Sequence, residues 1–153
     1  MLEAKSAMRV CKLILITFFV LIVTRGFAET AQVKDWVSYQ PKVVELKGTL
    51  SVKTYYGPPN YGENPDTDAK EPLPILTLSK PVNVRGNPNP KARFDRRSVK
   101  DVREIELVLT MPHKEFIGKT VLVKGTLFHA FTGHHHTDVL MDVRSIKLDP
   151  EDH

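Results

Sequence analysis

Apolar and polar residues alternate from Val43 to Tyr56: Val44, Leu46, Leu50 and Val52 fall on one side, Glu45, Lys47, Thr49, Ser51 and Lys53 on the other. A period of two over that stretch predicts a half-buried strand. Gly48 belongs to the apolar side, where a missing side chain lets a strand coil sharply, as at the corner of a barrel. Leu73 to Leu78 predicts a second strand; Pro72 and Pro74 put its beginning at an edge, and Val82 and Val84 extend it past Pro81. Ile105, Leu107 and Leu109, alternating with Glu104, Glu106 and Thr110, predict a third. The fourth runs from Thr120 to Phe131. In the fifth, Val139, Met141 and Val143 point inward before the phase shifts to Ile146 and Leu148, which requires a bulge near Arg144 and Ser145.

Between the third and fourth strands, Pro112 is suited to starting a short helical turn and Gly118 to ending it. Three strands, a short helix and two more strands form the order of an all-β, five-stranded OB-like Greek-key barrel. The tetrapeptide Lys47-Gly48-Thr49-Leu50 recurs as Lys124-Gly125-Thr126-Leu127, each glycine in the inward set, as barrel geometry requires at two corners. Matching the inward residues of the last hairpin sets Leu127 opposite Met141, Gly125 opposite Val143 and His129 opposite Val139. Gly133, His134 and His135 then form a three-residue loop, with His136 opposite Thr132. Ahead of the barrel, Trp36 is expected to plug one end of the core.

The N-terminal pattern is of another kind. Lys5, Arg9 and Lys12 precede an apolar run from Leu13 to Val23, and Gly26-Phe27-Ala28 offers small residues at the positions a signal peptidase reads. The expected organisation is a signal peptide at 1–28, an arm at 29–42, the barrel at 43–149 and a tail at 150–153. The alternative is a membrane anchor made by an uncleaved leader. Four of the 22 Lys and Arg and one of the 18 Asp and Glu lie in that leader, so the mature part is close to neutral. A nucleic-acid partner thereby loses its compositional support, and export to the periplasm argues against it again. The single cysteine, Cys11, leaves with the leader, which excludes disulfides and thiolate metal ligands from the mature chain.

The run Gly118-Lys119-Thr120-Val121-Leu122-Val123-Lys124-Gly125-Thr126-Leu127, followed by Thr132-Gly133-His134-His135-His136-Thr137-Asp138-Val139-Leu140, resembles a family of small exported bacterial proteins known only as a domain of unknown function. The likeness extends over roughly Val43 to Leu148. It implies compartment and domain extent, and it brings no catalytic residue.

Candidate chemistry gathers in three loops. In OB barrels the loops after the first and fourth strands flank the ligand face. Here they carry Tyr55, Tyr56 and Tyr61 on one side and His134, His135 and His136 on the other, so aromatic rings are expected to converge at one rim. The corresponding function is an exported, non-enzymatic module that binds a cell-envelope protein or glycan, inhibitor- and immunity-type proteins among its forms, without a cofactor and without stable membrane insertion after cleavage. The alternative is a metal-binding turn in which His134 and His136 hold zinc, copper or nickel, with Asp138 or His113 as a further ligand. The third loop, between Arg85 and Arg103, holds seven basic residues against two acids and offers Arg93, Arg96 and Arg97 for anion contact, with one helical turn around Ser98 to Val102. The acidic stretch Glu63, Asp66, Asp68 and Glu71 is set against it as an internal neutraliser. A hydrolase is the least supported class: Ser51, His129 and Asp138 form a trio on paper, and no GxSxG, HExxH, P-loop or dinucleotide motif is present.

Overall fold

The computed structural model describes residues 36–151; the expected leader, the first part of the arm and the last two residues of the tail lie outside them. Six strands follow in chain order: β1 (Trp36–Ser38), β2 (Val43–Tyr56), β3 (Lys70–Arg85), β4 (Val99–Val108), β5 (Thr120–His129) and β6 (Val139–Leu148). Short 3-10 turns occupy Pro90–Arg96 and Lys114–Phe116. β2 pairs antiparallel with both β3 and β5, β3 antiparallel with β4, β4 parallel with β6, and β6 antiparallel with β5. The five pairings form a ring, the OB-like arrangement expected from the strand order. β1 is added outside it, parallel to the end of β3. No helix among the described residues is long and apolar enough to cross a membrane.

Ring closure gives one interior. Leu50, Leu76, Ile105, Val121, Val123, Leu127, Val139 and Met141 are fully buried there, each side chain contributing roughly 1.5–3 kcal/mol. The repeated tetrapeptide has a physical basis in the β2–β5 pair. Val44 lies opposite Gly125 and Val121 opposite Gly48, so the two strands pair almost symmetrically about Leu46 and Val123. A Cβ on Gly48 would run into the Thr77 carbonyl oxygen, and one on Gly125 into that of Asp142. The hairpin register is the expected one, with Leu127 opposite Met141, Gly125 opposite Val143 and His129 opposite Val139. Lys124 faces Ser145 while Gly125 faces Val143, which makes Arg144 the extra residue of a bulge.

Six expectations need correction, the first being Leu148, which as the last residue of β6 is 46% exposed, whereas Ile146 is interior as expected. Trp36 does not plug the core: it is 42% exposed with the Arg85 guanidinium over its ring, and Tyr39, at 2%, is the buried aromatic of the arm. The reason is that the chain joins β5 only at Tyr39, whose neighbour Gln40 donates to the Leu127 carbonyl. Val52 is exposed rather than inward, because β2 is flanked by β5 only as far as Thr49 and continues with β3 as a two-stranded ribbon. The helical turn of the basic loop lies at Pro90–Arg96, where Asn89 accepts from the Lys91 N–H and Pro90 occupies the first turn, while Val99 to Val102 belong to β4. Glu106 is buried although it alternates with the interior residues Ile105 and Leu107. Finally, the three-residue hairpin loop is absent. Pairing stops at Ala130 and Asp138, and the chain between them folds across to β4, drawn there by Glu106.

Candidate functional site

The histidine turn is held to β4 by a reciprocal pair of hydrogen bonds. The His136 N–H donates to Glu106 Oε2 at 2.9 Å, the Glu106 N–H donates to Thr137 Oγ1 at 3.0 Å, and that hydroxyl donates to the Val139 carbonyl at 2.8 Å. Glu106 sits in a register row with Ile75 of β3 and Leu140 of β6, two residues that are fully buried yet stand outside the interior cluster. The outer face of the sheet is therefore covered at this point, and the buried carboxylate is met by the His136 N–H.

Opposite it, the loop after β2 is organised by Asp68. This buried carboxylate accepts from the N–H groups of Asn60, Gly62 and Asn64 at 2.8, 2.7 and 3.2 Å and from the Asn60 carboxamide at 3.1 Å. Burial opposes its charge, but those four donors outweigh burial and hold the carboxyl below its ordinary value of 3.8. With Asp68 as hub, Tyr61 and Gly62 take positive φ angles of 51° and 100° and the loop turns back toward the histidines.

The two loops meet ring to ring. Tyr55 stacks on His136 with centroids 4.0 Å apart and planes at 12°. Tyr61 meets His134 edge-on at 5.0 Å, and its hydroxyl lies 3.3 Å from Nε2 of that ring. His135 faces the other way, edge-on to Phe131 at 4.7 Å, and its Nδ1 accepts the Phe131 N–H at 3.2 Å. Of the six residues singled out for this rim, four form tyrosine–histidine pairs, whereas His135 meets only phenylalanine rings and Tyr56 makes no ring contact among the described residues. Tyr55 can reach His136 because the ribbon half of β2 reverses its burial: Ser51, Lys53 and Tyr55 are half-buried, and Lys53 pairs with Glu104 of β4 at 2.6 Å.

For a metal, the donors present do not assemble. Among the described residues no three His, Cys, Asp or Glu side chains are grouped to hold an ion. His134 and His136 each face a different tyrosine, and the His113 ring lies against the Met111 carbonyl. In the hydrolase trio, His129 and Asp138 line one cavity without Ser51, the Ser51 Oγ donates to the Ile75 carbonyl, and His129 Nδ1 lies 2.7 Å from the Ala130 carbonyl.

A cleft of about 450 Å³ opens beyond the hairpin, between the basic loop and the end of β5. Its floor is Asp95, a buried carboxylate that sequence reasoning had counted only as one acid in a basic run. Oδ2 accepts from Gln40 Nε2 at 2.9 Å and Oδ1 from the His129 N–H at 2.8 Å, so one side chain ties arm, loop and β5 together. Nearby, the Tyr39 hydroxyl is buried without a hydrogen-bond partner among the described residues, and burial, then the charges of Asp95 and Asp138, raise its pKa. Phe94 and Phe131 stack at 5.2 Å on the wall. Neither had been singled out; the available signal was a large apolar residue inside each of two polar loops. Arg93, Arg96 and Arg97 are exposed, and none is ion-paired among the described residues. Among the described residues no acid of the 63–71 stretch pairs with them, and Asp68 serves its own loop.

Residues 104–147 match the model of a domain of unknown function (DUF4431). That segment contains β4 from Glu104 onward, β5, the histidine turn and nearly all of β6. No curated protein and no solved structure matches the chain.

Proposed function

We propose that the protein is an exported, non-enzymatic binding module that takes a cell-envelope protein or glycan at the rim formed by the loops after β2 and β5. The observation that carries this reading is the pairing of Tyr55 with His136 and of Tyr61 with His134. It joins the two loops that flank the ligand face of OB barrels into one preformed aromatic surface. Aromatic rings already fixed by neighbours lose little freedom on binding, which favours affinity. In this account the histidines are ring partners that set the tyrosines rather than metal ligands. Export rests on the leader-like pattern at 1–28.

The test is site-specific photocrosslinking in the envelope of the producing cell, with a photoreactive phenylalanine analogue placed at Tyr61 or, as an off-rim control, at exposed Lys147. A discrete adduct at Tyr61 that is absent at Lys147 and lost on His134→Ala is expected. The same adducts at both positions, or none at Tyr61, would overturn the reading.

A further inference from the structure

We infer that the Phe94–Phe131 cleft is a second binding site, and that its ligand is an acidic peptide segment of a partner protein carrying an aromatic or large aliphatic side chain. This goes beyond the tyrosine–histidine pairs of the rim, since none of Tyr55, Tyr61, His134 or His136 lines the cleft, although Phe131 belongs to the loop after β5 and packs against His135. The size, about 450 Å³, is that of a site for a few residues.

Its chemistry is defined by which groups are free. Phe94 and Phe131 remain 53% and 51% exposed although they stack on each other, so both present an apolar face to solvent. Large apolar rings flanked by cations are the usual anchors of a protein interface. Lys91 and Arg93 line the same cleft and have no ion-pair partner among the described residues. The one acid in the lining, Asp95, is buried and bonded to Gln40 and His129. The cleft is therefore electropositive and complementary to carboxylates.

Each amide side chain of the lining already makes a bond within the protein. Gln40 is bonded to Asp95, Asn87 accepts the Asn89 N–H, and Asn89 accepts the Lys91 N–H. A sugar would need such directional groups for its hydroxyls, whereas a carboxylate beside an apolar side chain needs only the cations and the phenylalanine faces. This favours peptide over glycan. The backbone supports the assignment: Arg93, at the kink of the 3-10 turn, has φ 33°, a left-handed conformation unusual for arginine. Such strain, held in place by the bonds of Asp95, is typical of positions that present a side chain to a ligand.

The experiment titrates the full chain with a capped peptide of four glutamates around one phenylalanine, by calorimetry and amide chemical shifts. Comparison ligands are the same peptide with alanine at its centre, its lysine counterpart, and a short oligogalacturonate. Binding is expected for the glutamate–phenylalanine peptide, weakened about tenfold or more by the central alanine, by Phe131→Ala and by Arg93→Glu, weakened also by salt, and unaffected by Tyr61→Ala. Phe131 and Arg93 are both exposed, so the variants leave the core intact. Absence of binding, binding that survives Phe131→Ala and Arg93→Glu, loss on Tyr61→Ala alone, or preference for the oligogalacturonate would each overturn the inference.

Discussion

Two loops of this barrel are each built around one buried aspartate, and the aspartates work in opposite ways. Asp68 accepts four hydrogen bonds, all from residues four to eight positions before it in its own loop. Asp95 accepts two from groups 55 and 34 positions away, in the arm and in β5. The first fixes a loop's shape and the second fixes where a loop sits. The loop that carries Tyr61 therefore takes its shape locally before it meets the histidines, whereas the phenylalanine cleft depends on the assembly of three segments.

The comparison is broken most directly at Asp95. Asp95→Ala leaves the Gln40 carboxamide and the His129 N–H without their acceptor, and a loss of about 2–4 kcal/mol is expected, read by denaturant unfolding of the full chain. Amide exchange should rise in all three segments together: the arm around Gln40, the 87–97 loop and the end of β5. Exchange confined to the loop would make Asp95 a local hub like Asp68 and remove the contrast.

Asp68→Ala is expected to do less to the unfolding midpoint and more to its own loop, with faster exchange at Asn60, Gly62 and Asn64. Acid should mimic it. The folded carboxyl titrates below its ordinary value of 3.8, so between the two values the unfolded chain binds the extra proton and stability rises with pH. The stabilisation is complete above 3.8 and is lost as pH falls through the lower folded value; two-dimensional spectra of the Gly62 and Asn60 amides should report it. Loop signals that disperse only above neutrality would contradict the assignment.

Smallest is the stack between the loops. Tyr55→Ala is expected to cost about 0.5–1.5 kcal/mol beyond its lost area, and a double-mutant cycle with His136→Ala should recover that coupling. Additive effects would show the loops to be independent.

The same distinction decides what was legible in the chain. The centres of the five ring strands, the β5–β6 register and the Arg144 bulge follow from a period of two and from inward glycines, which are properties of neighbouring residues, whereas β1 and the start of β4 do not. Alternation does not tell where a strand leaves the barrel, so Val52 was placed inside although only β3 accompanies it there. Nor does it tell when a loop will cover an outward residue, which is why Glu106 looked solvated and the histidine turn looked like a hairpin tip. The rim could be anticipated because barrel order assigns its two loops to one end. The cleft could not, because it exists only once Asp95 joins residues far apart in sequence.

At the rim, His134 and His136 are expected to orient Tyr61 and Tyr55. Titrating the full chain with zinc, copper and nickel, beside the His134→Ala, His136→Ala double variant, tests it most directly. No stoichiometric binding that depends on those two residues is expected, and the Tyr55 and Tyr61 ring signals should change in the variant even without metal. Tight one-to-one binding of any of the three ions, abolished in the variant, with tyrosine rings indifferent to the substitutions, would contradict it.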